Sequence, residues 1–130
     1  MEKEHKDLVI TDLCGRLPHK VIVEFVSYEG EEKLWFGELS CKDLDCFIHD
    51  VGFVEIKPYL FPISSMTEEQ KAEYRKVCEL DTEILSKHPM DGTPFPALYN
   101  SQDWLNKNNF DYRGLIPKGL AKDSTGLNIY

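Results

Sequence analysis

Residues 56–74, IKPYLFPISSMTEEQKAEY, decide the fold. The stretch begins as the end of a β-type run. Lys57-Pro58 and Phe61-Pro62 are expected to stop the ladder there, because proline has no backbone N–H to donate. Ser64, Ser65 and Met66 then lead into Thr67-Glu68-Glu69-Gln70, a helix start. Thr67 fits the N-cap and Gln70 the N3 position of a capping box, and Glu68 and Glu69 sit where the helix dipole favours negative charge. The chain before this joint reads mostly as sheet and the chain after it mostly as helix, so the expected class is α+β.

Working back from the joint, residues 20–28, KVIVEFVSY, are rich in β-branched and aromatic side chains. Val21, Val23 and Phe25 share one face, Ile22, Glu24 and Val26 the other. Both faces are partly apolar, which suits an inner strand or one covered on both sides. Residues 29–32, EGEE, read as a turn and 33–39, KLWFGEL, as the return strand, with Gly37 marking a bulge or bend. Residues 40–45 read as a polar turn, and 46–50 and 52–56 as two further short strands or one strand broken near Val51-Gly52. The sum is a small curved antiparallel sheet of three to five strands, resembling an SH3-like partial barrel. At the N-terminus, residues 5–14 are expected to form a short helix. Ile10, Leu13, Cys14 and Leu17 lie on its buried face, with Gly15 as its stop.

Working forward, the longest helix is expected over residues 67–87. Tyr74, Val77, Cys78, Asp81, Ile84 and Leu85 form its stripe, and the polar Asp81 marks a place to fray or break. Residues 88–96, HPMDGTPFP, are a connector, with His88 a helix-end residue facing the dipole. A second helix, from Ala97 or Ser101 to Asn108, buries Leu98, Trp104 and Leu105, and asparagines at 106, 108 and 109 end it. Residues 110–121 are expected to pack around a turn of helix at 111–116. Residues 123–130 show no periodicity and are expected as a flexible tail. The chain thus reads as one domain over 1–122, with sheet in 18–57 and helices in 67–121.

Composition narrows the functions. The 130 residues include 7 Phe, 6 Tyr and 2 Trp, too many aromatics for a disordered chain. The net charge of −8 argues against non-specific nucleic-acid binding and against adhesion to an anionic membrane. Residues 1–65 hold 7 basic against 13 acidic groups and residues 66–130 hold 8 against 10, so the acidic bias lies in the sheet half. The charged start MEKEHKDLVITDLCG does not fit a signal peptide, and no apolar run approaches spanning length. Four cysteines without an export signal suggest reduced thiols in a cytoplasmic protein.

The chemistry-bearing residues form few patterns. Cys41, Cys46 and His49 offer three ligands within nine residues, but a zinc site wants a second pair at close spacing, so these are weak metal candidates and no cofactor is expected. Cys14 and Cys78 read as core. No nucleophile elbow, phosphate loop, zinc-protease helix or dinucleotide fingerprint is present, and no catalytic residue is assigned. Trp104, Phe110, Tyr112 and Arg113, with Lys118 nearby, are the candidate ligand-binding set. Aromatic rings there stack on a flat ligand while Arg113 faces its phosphate or carboxylate. The competing reading is that the same residues staple the C-terminal segment to the sheet.

Several segments resemble an uncharacterised small-protein family of gut Bacteroides-type bacteria, their prophages and their phages. The resemblance is carried by Glu55-Ile56-Lys57-Pro58-Tyr59-Leu60 with Ser64-Ser65-Met66-Thr67-Glu68-Glu69. It is also carried by Asp103-Trp104-Leu105-Asn106 with Phe110-Asp111-Tyr112-Arg113-Gly114-Leu115-Ile116 and Gly119-Leu120-Ala121, and by Asp12-Leu13-Cys14-Gly15-Arg16-Leu17-Pro18. It implies a setting, that of a phage or mobile-element accessory protein, and transfers no catalytic residue. The function expected is therefore non-catalytic binding of a host or phage protein. The alternatives are sequestration of a nucleotide-like ligand and a metal-dependent or thiol enzyme.

Overall fold

The computed structural model describes residues 3–27, 34–49, 51, 53–87 and 100–130. It is α+β: helices α1 (Lys3–Arg16), α2 (Cys41–Ile48), α3 (Glu68–Lys87) and α4 (Asn100–Lys107) accompany strands β1 (Ile22–Ser27), β2 (Leu34–Glu38), β3 (Phe53–Pro62), β4 (Phe110–Asp111) and β5 (Lys122–Asp123). The five-stranded sheet is mixed and not closed, in the order β2-β1-β3-β4, with β5 also on β3. β1 is the inner strand expected, antiparallel to both β2 and β3, while β4 and β5 pair parallel to β3.

The strand alternation read from residues 21–26 holds. Val21, Val23 and Phe25 point into the main core with Ile56 and Leu60, against Val9 and Leu13 of α1 and Leu44 and Phe47 of α2. A second cluster of Met66, Trp104, Leu105 and Phe110 fastens α3 and α4 to the end of β3. The joint between the two starts α3 as expected: Gln70 N donates to Thr67 Oγ1 at 3.1 Å and Thr67 N to Gln70 Oε1 at 2.9 Å.

Several expectations are corrected. Pro58 lies within β3 and does not end the strand, whereas Pro62 is its last residue, as expected. Val23↔Pro58 is the last pair with β1, and Pro62↔Asp111 the last with β4, so each proline falls where β3 is leaving a neighbour. Residues 41–48 form α2 where a turn and a strand were expected. Ser40 and Asp43 make a reciprocal capping box, and Leu44 and Phe47 are buried at helical spacing. Gly37 carries no bulge; the register shift lies at Val26 and Ser27, opposite β3.

α1 runs through Gly15, and its buried residues are Val9, Asp12, Leu13 and Arg16, with Cys14 exposed. α3 does not break at Asp81. That carboxylate accepts from Ser101 N at 2.9 Å, so the polar member of the stripe caps the next helix. Asn109 ends α4 in the left-handed region, φ 57°, as the asparagine run suggests. After it comes β4 and not a turn of helix, and the Asp111 carboxylate gathers Leu115 N and Ile116 N at 2.9 Å each.

Residues 123–130 are docked where a tail was expected. Asp123 belongs to β5, Ser124 N donates to Leu60 O at 2.9 Å, and the Tyr130 hydroxyl donates to Tyr59 O at 2.6 Å while accepting from Ile22 N at 2.9 Å. The phenol thus fills the gap where β1 and β3 stop pairing. The turn expected at 29–32, the connector at 88–96 with His88, and Leu98 lie outside the described residues.

Candidate functional site

The expected ligand cluster divides into separate parts. Trp104 and Phe110 are core: their rings stack 5.7 Å apart, only 7° from parallel, and both are buried. Tyr74 packs on Trp104 at 5.4 Å, and the indole Nε1 donates to Glu73 at 2.9 Å. Lys118 stands exposed in the turn after Ile116.

Tyr112 and Arg113 meet a charged group that sequence reasoning missed. Asp12 and Arg16, one turn apart on α1, are both fully buried. Arg16 Nε lies 2.8 Å from Asp12 Oδ2, and Nη2 lies 3.1 Å from Oδ1 and 2.7 Å from Phe110 O. Arg113 Nε approaches the same carboxylate at 3.3 Å. The Tyr112 ring is flanked by both guanidinium groups, Arg16 at 5.4 Å and Arg113 at 5.0 Å. Its hydroxyl donates to Asn106 Oδ1 at 2.8 Å and accepts from Gln102 Nε2 at 3.3 Å. These groups tie α1 to α4 and β4. The signal in the sequence was the Asp–Arg i,i+4 spacing beside the apolar pair Val9 and Leu13.

The cysteine and histidine candidates do not converge. Cys41 and His49 are exposed at opposite ends of α2, Cys46 is half-buried between them, and His49 Nε2 lies 3.4 Å from Asp45. Among the described residues, no three His, Cys, Asp or Glu side chains are grouped to hold a metal. The displaced titrations move away from neutrality. Burial foremost, then the Glu24 charge and hydrogen bond, raises Tyr59; burial, then Cys78 and Asp81, raises Tyr74. Burial pushes Tyr130 up to about 12, against the pull of the Ile22 backbone bond and the Arg16 charge. Hydrogen bonds from Thr125 lower Asp123. None of these four groups is poised to exchange a proton near neutral pH.

The sheet face turned away from α1 and α2 is a better candidate. Cross-strand register places Phe36 opposite Glu24 and Glu24 opposite Lys57, giving one row over three strands. Phe36 is 63% exposed, yet its ring is fixed edge-on to Tyr59 at 6.3 Å. The Tyr59 hydroxyl donates to Glu24 Oε2 at 3.3 Å, and Lys122 Nζ lies 4.0 Å from Glu24 Oε1. Lys57 pairs with Glu55 at 3.6 Å along the same strand. The result is an aromatic pair held in a polar frame. The pairing of Phe36 with Glu24 sets Phe36 on the outer face.

Comparison with family models, with curated proteins and with solved structures gives no significant match. Among the described residues no helix is long and apolar enough to cross a membrane.

Proposed function

We propose that this protein is a non-catalytic binding module that engages a protein partner through the outer face of its sheet, with Phe36 at the centre of the contact. The observation that carries this reading is the exposed Phe36 ring set against Tyr59 in an ordered grid of Glu24, Lys57 and Lys122. A lone exposed phenylalanine is ordinary on a protein surface. An aromatic anchor already fixed by its neighbours and ringed by paired charges has the make-up of an interface centre, where an apolar contact is surrounded by a polar rim. Pre-ordering lowers the entropy lost on association, and covering most of such a side chain contributes on the order of 2 kcal/mol.

The partner chemistry that fits is a protein surface with an apolar socket for Phe36 and groups of both signs around it. The family resemblance supports a phage or mobile-element setting, in which that partner is a host or phage protein met in the cytoplasm. Quantitative affinity capture from Bacteroides-type cell extract tests this with the wild type and Phe36→Ser as paired baits. The expected result is a saturable partner enriched by the wild type and lost with Phe36→Ser, at equal melting temperature. Equal enrichment by both baits contradicts it.

A further inference from the structure

A second surface feature lies at the joint itself. A cleft of about 230 Å³ opens between the end of β3, the start of α3 and the turn after β5. Phe61 and Phe110 form its apolar wall; Ser65, Thr67, Gln70 and Thr125 form the polar side. The capping box decides how that polar side is presented. Gln70 must turn Oε1 toward Thr67 N, at 2.9 Å, which fixes the orientation of its amide and leaves both Nε2 hydrogens facing elsewhere. The Thr67 oxygen receives Gln70 N at 3.1 Å, leaving its own hydrogen to donate. Among the described residues neither donor has an acceptor. The Ser65 hydroxyl is already given to Pro62 O at 2.6 Å. The cap that starts the helix therefore offers unused donors beside an aromatic wall.

Size and charge restrict the occupant. A cavity of roughly 150 Å³ holds one benzene ring, so this cleft suits one six-membered ring with a small substituent and is too small for a whole nucleotide. No charged side chain lines it, and Glu68 and Glu69 are exposed directly after Thr67, which disfavours an anion. Donors without a carboxylate among them disfavour a cation. We infer that the cleft binds an uncharged planar ring bearing a carboxamide or ring carbonyl, whose oxygen accepts from Gln70 Nε2 and the Thr67 hydroxyl while the ring lies against Phe61 and Phe110.

The test uses the full chain and four ring compounds, nicotinamide, uracil, toluene and benzoate, each titrated by ligand-observed NMR. Nicotinamide or uracil is expected to bind at least about tenfold more tightly than toluene or benzoate, a gap of one good hydrogen bond. Gln70→Glu is the decisive variant, since glutamate keeps the capping oxygen but replaces the donor by an acceptor. It is expected to retain the melting temperature and to weaken the carbonyl ligand by about tenfold or more. Absence of binding by all four compounds overturns the inference, as does toluene matching nicotinamide and uracil, or Gln70→Glu binding as the wild type does. A Gln70→Glu protein that melts early is replaced by Gln70→Met, which removes the donor without adding charge, and the same loss is required. Phe36→Ser leaves this titration unchanged, so failure here is distinct from failure of the sheet-face reading.

Discussion

Replacing Asp12 by Ala strikes the buried charged group that ties α1 to α4 and β4. Asp12 and Arg16 are both fully buried, and their fork is made at 2.8 and 3.1 Å. Removing the carboxylate leaves the Arg16 guanidinium buried without its counter-charge and Arg113, 3.3 Å from the same carboxylate, facing it. Breaking a buried pair by deleting one partner costs about 3–5 kcal/mol, because the survivor keeps its desolvation penalty. For a domain of this size roughly 3–5 °C of melting temperature accompanies each kcal/mol, so the drop should be about 9–25 °C. Urea and thermal unfolding followed by circular dichroism measure it. The double variant Asp12→Leu/Arg16→Met separates charge from packing. It should recover much of the loss and keep a deficit of about 1–3 kcal/mol, because Phe110 O then lacks the 2.7 Å donor from Arg16. An Asp12→Ala cost below about 1 kcal/mol, the range of a solvent-exposed pair, would refute the reasoning.

Other perturbations test other joints. Thr67→Ala should lose about 1 kcal/mol by removing the oxygen that holds Gln70 N, and an unchanged urea midpoint would refute the cap. Gly15→Ala, which in a free helix gains roughly 0.5–1 kcal/mol, should here destabilise. Its Cβ would stand 3.0 Å from Asn106 Nδ2, and Asn106 is buried and held by Tyr112; a raised melting temperature would contradict this. Tyr130→Phe should weaken the closure of β1 on β3, by about 1–3 kcal/mol for the Ile22 N–H left unpaired. The Tyr130 pKa is raised on folding, so its contribution is complete below about pH 10, the unfolded value, and is lost as pH climbs through about 12. Alkaline melting curves should fall more steeply across that window for the wild type than for Tyr130→Phe, and parallel curves would count against the latch.

The joint, the inner strand and the long helix were legible in the sequence because capping chemistry and period-two alternation act over a few residues. α2 was hidden because its run, CKDLDCFI, mixes cysteine and β-prone residues, and the Ser40–Asp43 box is as short as a turn. On α1 the sequence placed Ile10, Leu13 and Leu17 against the core and misplaced only Cys14. Asp12 and Arg16 of the buried stripe were missed, because hydropathy scores them as solvent-facing until their pairing is seen. β4, β5 and the docking of Tyr130 depend on contacts between residues roughly 50 or more positions apart, and nothing local encodes those. Of the candidate ligand residues, Trp104 and Phe110 were picked out by aromatic character, which does not distinguish a wall of the core from the floor of a site.

Site-specific photocrosslinking tests the sheet-face interface most directly. A photoreactive phenylalanine at position 36 is compared with the same group at position 76, where Lys76 is exposed on α3. One dominant crosslinked partner is expected from position 36, competed away by excess wild type and not by Phe36→Ser, with no such product from position 76. The same partner captured equally from both positions, or from position 76 alone, would contradict the proposed interface.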